Sequence, residues 1–389
     1  MVAIGSAKNK RLWLIYISGF FVAVHYATIV YLNSSLLSQF AGKNTVNLLY
    51  VISSVLSIVF LAIAPILVRS RGSIFTFLLF IFLEIISVFG MGSFNLAFVI
   101  MALFIVHQAA ESMLNFCLDL NLEQETRAEG TTGGKRGTLL MVQNVAWVLS
   151  PLTISILVAN GSFRPMYILS GIALIPLTLI IATFFTNTKK AEVREAKILP
   201  VIKSLLKGGD TMRIFLVQVM LNFFYAWMII YLPLLLHNSI GFSWGQIGFL
   251  FTIMLLPFLL LELPVGIMSD KKFGEKEFLI LGFIIMALAT LMIPLLQSKI
   301  FWLWAIVLFA TRVGASTVEV ASESYFFKHV KEDNTGLISL FRMGRPLSLI
   351  IAPLVALPIM GFLSYSASFY FLSIITISGL LFIPKKDTR

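Results

Sequence analysis

Apolar residues run along this chain in blocks of about 20, separated by short polar breaks, with no period-two alternation inside the blocks. A helix of that length rises far enough to cross a hydrocarbon core of roughly 30 Å. Backbone in hydrocarbon must satisfy its own hydrogen bonds, and blocks this long and uniform do so as helices, not as barrel strands. The breaks divide the sequence into twelve predicted spans: 12–32, 45–68, 73–92, 95–118, 137–159, 164–186, 212–236, 243–269, 276–296, 300–325, 335–359 and 363–384. The first follows Lys8, Lys10 and Arg11, but it is too long for a signal-peptide core and lacks an Ala-x-Ala site. It reads as a retained helix.

Composition agrees. Hydrophobic residues make up 59% of the chain and charged ones 12%, with a mean hydropathy of +0.96. Those values exclude an ordinary soluble domain. The formal charge of +11 would suggest a nucleic-acid partner if it were spread evenly. Instead, most of the 29 Lys and Arg lie on one side of the predicted spans, and only Lys43, Arg164 and Lys299 fall in the opposite loops. This asymmetry places both termini in the cytoplasm of a multi-pass protein of the cell (inner) membrane and implies no nucleic-acid partner. The single Cys117 lies inside a span, where it reads as a small buried hydrophobe.

The longest polar interruption is 187–211, "TNTKKAEVREAKILPVIKSLLKGGD". It divides the chain into an N-terminal six-helix bundle (1–186), a cytoplasmic linker with room for a short headgroup-level helix, and a C-terminal six-helix bundle (212–389). The halves echo each other: "VLSPL" (148–152) answers "IIAPL" (350–354), and charged hinges follow the second span of each half. The N-half hinge, "PILVRSRGSIF" (65–75), carries Arg69 and Arg71 and no acid. The C-half hinge, "GIMSDKKFGEKEF" (266–278), carries Asp270 with Lys271, Lys272 and Gly274. Parallel six-helix repeats are a transporter layout.

The run "YLPLLLHNSIGFSWGQIGFLFTIMLLPFLLLELPVGIMSDKKFGEK" (231–276) resembles the major facilitator superfamily, with Pro264, Gly266, Asp270, basic residues and Gly274 set like that family's signature loop plus one extra residue. "FRMGRPLSLIIAPL" (341–354) is similar to its eleventh helix. The resemblance implies twelve transmembrane helices in two bundles and alternating-access transport, with spans 1, 4, 7 and 10 lining a central cavity. It also implies that Asp270, supported by Lys271, docks at the start of span 5, as an anion does at a helix N-terminus. The N-half hinge lacks that acid, so its latch is expected to be charge-swapped, with Arg69 or Arg71 facing Glu332 and Asp333.

Ionisable residues inside spans are costly and each needs a partner or water. Span 4 carries His107, Glu111 and Asn115 at four-residue intervals, with Gln108 adjacent, and span 10 carries Arg312, Ser316, Glu319 and Glu323 on one face. If these stripes face each other, Glu111 is the expected proton carrier; the alternative is a static bridge from Glu111 to Arg312 or His107. Glu319 and Glu323 read as partners of Arg342 and Arg345 in a buried ion-pair network, the alternative being a direct role in the cavity toward substrate or proton. His25 in span 1, with Gln218, Asn222 and Tyr225 in span 7, supplies further polar lining for a substrate. Glu84 is a single acid in an apolar run, read as structural or as a protonated lipid-facing group.

No metal-ligand spacing, phosphate loop or nucleophile motif is present, so neither an enzyme nor a metal site is expected. The chemistry points to a secondary active transporter, working as a monomer in the lipid bilayer on a small-molecule substrate. It needs no cofactor beyond a proton gradient, and protons are its expected co-substrate. Mixed polar and aromatic lining leans toward export of small amphipathic compounds. The alternatives are a proton-coupled uptake symporter for a sugar, nucleoside or organic anion, and a non-transporting receptor on the same fold.

Overall fold

Uniformly apolar segments bounded by glycine and charge fold as long helices. The computed structural model describes residues 2–126, 132–158, 161–184, 209–269, 274–329, 341 and 343–385, and contains no strand among them. The chain separates into two compact units, Met1–Glu195 and Ala196–Arg389. The first holds α1 (Val2–Ile29), α2 (Asn33–Ser38), α3 (Lys43–Arg71), α4 (Ser73–Ser93), α5 (Ala97–Thr126), α6 (Thr132–Leu157) and α7 (Arg164–Phe184). The second holds α8 (Asp210–Leu234), α9 (Trp244–Met268), α10 (Glu275–Met292), α11 (Phe301–His329), α12 (Gly344–Phe362) and α13 (Ser368–Ser378).

Among the described residues, eleven helical stretches are long and apolar enough to cross a membrane. The twelfth predicted span is a shorter helix, α13, continued by a tight turn at Gly379–Phe382. The first span is also interrupted, breaking after Ile29 and resuming as α2. At the end of α8, Pro233 is followed by a wide turn, Leu235–Ile240, closed by Gly241 at φ +83°. Proline removes a helical donor and glycine adopts the left-handed region freely, so together they stop the helix. A capping box between Ser243 and Gln246 then starts α9.

The units pack their helices by one scheme. In the first, α1 lies on α6 and α7, α3 and α4 lie on α5, and α4 lies on α7. In the second, α8 lies on α12, α9 and α10 lie on α11, and α10 lies on α13. The hinges match as well. Gly72 caps α4 at φ +92° and Gly274 caps α10 at φ +82°, both with extended ψ. A side chain at either φ is strained, so each turn depends on glycine. After Gly274 the buried Glu275 accepts from Lys328 Nζ (2.5 Å) and Ser324 Oγ (2.9 Å) of α11. The N-unit hinge has Ser73 there, and Thr76 Oγ1 donates to the Gly72 carbonyl (2.8 Å).

One contact sets the C-unit's geometry. A Cβ on Gly314 of α11 would lie 2.4 Å from the Met286 nitrogen and 2.6 Å from the Gly282 oxygen of α10. A Cβ on Gly282 would in turn lie 2.9 Å from the Gly314 oxygen. Small residues let the two backbones touch, which is how helices pack where lipid offers no hydrophobic drive. Arg312 stands two residues before that crossing, so its backbone is held firmly.

Candidate functional site

Each unit buries one cluster of ionisable groups near the middle of its helices. In the N-unit the centre is Glu84 of α4, which does not face lipid: it is 0% exposed, as are His25 of α1 and His107 of α5. His107 Nδ1 lies 2.7 Å from Glu84 Oε2, and His25 Nε2 lies 3.5 Å from the same oxygen. The two imidazoles meet edge to face at 5.7 Å. Their partners lie on three helices, so the pairing is tertiary.

The protonation of His25 can be argued atom by atom. Ser170 of α7 has one hydroxyl proton, with the His25 carbonyl as one acceptor at 2.9 Å. With that proton on the carbonyl, the 2.7 Å contact with His25 Nδ1 is donated by Nδ1–H; with the proton on Nδ1, the ring carries its own hydrogen on Nε2. In the first tautomer a neutral His25 turns the lone pair of Nε2 toward the Glu84 carboxylate, and Nε2 makes no hydrogen bond. Glu84 Oε1 and His107 Nε2 are also buried without hydrogen-bond partners. One more proton, placed on Nε2 or on the carboxyl group, turns that repulsion into attraction.

The same three side chains offer ligand atoms within 4.8 Å of one another, enough for a metal ion, although no metal set was expected from their spacing in sequence. Charge argues for the proton. Glu84 with one added proton is neutral overall, whereas a divalent ion would leave a net positive charge fully buried among apolar helices.

Around this core, Gln108 Nε2 donates to Tyr26 Oη (3.4 Å), and the Tyr26 ring leans on His107 and on Trp147. Glu111 is also buried, and one turn further along α5 Asn115 Nδ2 donates to its Oε1 at 2.6 Å. The α5 stripe is thus divided: His107 turns to α4 and α1, while Glu111 and Asn115 bond to each other. His25 was expected as separate polar lining; it belongs to the Glu84 cluster instead.

In the C-unit the centre is Arg312 of α11, 1% exposed. Its guanidinium lies over the rings of Phe224 (5.1 Å) and Tyr225 (5.5 Å) of α8. Tyr225 Oη donates to Glu319 Oε2 of α11 at 2.7 Å. Ser322 Oγ donates to Gln218 Oε1 (3.1 Å), while Asn222 Nδ2 donates to the Gln218 carbonyl of its own helix (2.8 Å). The α8 and α11 stripes read from sequence do meet, but the acid at their junction is held by tyrosine. Glu323 and Arg345 are half-buried. Arg342, the other base of the expected network, lies outside the described residues.

The hinge residues are only partly described. Arg69 and Arg71 are exposed at the end of α3, and the Arg71 guanidinium lies over the Phe75 ring at 5.7 Å. Asp270, Lys271, Glu332 and Asp333 fall outside the described residues, as does most of the predicted linker.

The signal that reveals Glu84 in the sequence is depth. His25, Glu84 and His107 each sit near the middle of a separate apolar block, and residues at one depth can meet across helices.

Residues 214–389 match the family model described as Major Facilitator Superfamily. No curated protein matches the chain in sequence. Among solved structures, the POT family transporter PepTSo superimposes with a TM-score of 0.76, at 10% identity and over 96% of each chain. An auto-inhibited POT family peptide transporter gives 0.75 at 8% identity, over 96% of this chain and 95% of that one. The nucleoside transporter NupG gives 0.74 at 10% identity, over 95% of this chain and 98% of that one. At these identities the likeness shows fold and not cargo. Residues 214–389 thus carry sequence similar to the Major Facilitator Superfamily, and along its length the chain has the fold of these multi-pass transporters.

Proposed function

We propose that this transporter couples solute movement to protons, and that Glu84, His25 and His107 carry the coupled proton. The observation behind this is the fully buried Glu84 carboxylate between two imidazoles, with His107 Nδ1 2.7 Å and His25 Nε2 3.5 Å from one of its oxygens and no hydrogen bond made at Nε2. The role read for Glu111 moves to Glu84 because Glu84 has two imidazoles within 3.5 Å, whereas the carboxylate of Glu111 is bonded to an amide. An imidazole–carboxylate cluster gains or loses a proton when small shifts change its surroundings. Alternating access supplies such shifts.

The leaning toward export of amphipathic compounds rests on the mixed polar and aromatic lining. The opposite direction, uptake of an organic anion together with a proton, is favoured by Arg312 with its unshared donors. The membrane is the cell membrane, with both termini cytoplasmic, as the distribution of Lys and Arg supports. The test uses purified protein in liposomes and a panel of neutral, cationic and anionic solutes, each with and without an imposed pH gradient. Accumulation of at least one solute only under the gradient is expected. Solute flux indifferent to the gradient would refute proton coupling.

A further inference from the structure

Arg312 is a buried cation whose hydrogen bonds are unmade. A guanidinium cannot shed its charge at any physiological pH, so burial cannot neutralise it as it would a lysine. The rings of Phe224 and Tyr225 cover its face, and a ring face attracts a cation but accepts no in-plane N–H. Its Nε and Nη1 atoms are buried with no hydrogen-bond partner. Glu319, the acid next along this chain of contacts, accepts from Tyr225 Oη. An uncompensated buried charge is strongly destabilising, and its donors call for an acceptor of opposite charge.

We propose that Arg312 is a binding subsite for the anionic group of the transported solute, and that this group is a carboxylate. The charge balance selects the class. A monoanion matches the single charge of Arg312, whereas a phosphate dianion would bring a second negative charge beside the ring that Glu319 already engages. The Phe224 and Tyr225 rings, 5.1 and 5.5 Å from the guanidinium carbon, surround the cation with apolar faces. Tyr225 and Glu319 fix that ring, so they act as positioning residues. The inference rests on the chain being a transporter, but not on where its proton is carried.

The test is ligand binding to the full chain in detergent at a fixed pH, so that proton coupling is not read. Melting temperature is followed against a series of monocarboxylates (acetate to octanoate, benzoate, phenylacetate), each paired with its uncharged carboxamide and with phenyl phosphate. At least one carboxylate is expected to stabilise the protein in a saturable way, with its amide and the phosphate ester at least about tenfold weaker. Arg312→Lys should weaken the carboxylate and keep its preference over the amide, because the charge stays while the planar fork is lost. Arg312→Gln should abolish the preference; if that variant does not fold, the lysine variant and Phe224→Leu carry the test. The proposal fails if no carboxylate is distinguished from its amide, if the phosphate ester binds best, or if Arg312→Gln keeps the preference. A failure here leaves gradient-driven flux of another solute intact, which separates it from a failure of proton coupling.

Discussion

The two units are built to one packing scheme but place charge differently within it. Glu84 stands twelve residues after the hinge glycine Gly72, and the residue twelve after Gly274 is Met286. Where the N-unit puts a carboxylate between two imidazoles, the C-unit puts a methionine against Gly314, with the backbones in contact. The C-unit's charge sits on α11, at Arg312, and is covered by rings instead of acids. One unit therefore sets a buried acid between imidazoles, and the other sets a buried cation against aromatic rings. A shared fold with divided chemistry fits a transporter that carries two different species.

The largest effect should come from removing the tight crossing of α10 and α11. Gly314→Val forces a side chain into the α10 backbone, and the expected cost is about 3 kcal/mol or more. Thermal unfolding in detergent should show a drop of many degrees or loss of monodisperse protein. An unchanged melting temperature would mean that the helices do not touch as described.

Next in size is Glu84→Gln, which leaves two imidazoles without their anion. Gradient-driven accumulation should fall at least about tenfold while the protein stays folded. Glu111→Gln, the control, should stay coupled. The reverse pattern would return the proton to Glu111, and restoration of wild-type behaviour by added zinc would favour a metal at the three side chains.

Smaller changes sharpen each side of the comparison. Tyr225→Phe removes the bond to Glu319, about 1 kcal/mol, and should weaken carboxylate binding several-fold without altering the pH response. Ser170→Ala frees His25 Nδ1 and lets its ring choose either tautomer. The pH at half-maximal transport should shift by a fraction of a unit, with little change in stability. A shift in carboxylate affinity instead would show that the two clusters are not separate.

Much of this was legible in the sequence. The spans and the C-unit hinge at Gly274 follow from hydropathy, charge and backbone sterics, all local properties. Arg312, Glu319 and Tyr225 were legible because their own helices carry polar stripes at helical spacing. Glu84 was not, because its helix gives it no polar neighbour at such a spacing; its partners are supplied by α1 and α5. The interruption after Ile29 and the short α13 were missed for a related reason. Hydropathy measures the length of an apolar block and does not register where its helix breaks.

The central claim is that the Glu84 cluster binds the transported proton. It is tested most directly by comparing wild type and Glu84→Gln in liposomes that hold a pH-sensitive dye, using the carboxylate of strongest thermal shift. Wild type should move protons together with solute, while Glu84→Gln should exchange labelled for unlabelled solute and move no protons. Proton movement that persists in Glu84→Gln at the wild-type ratio to solute would contradict the account.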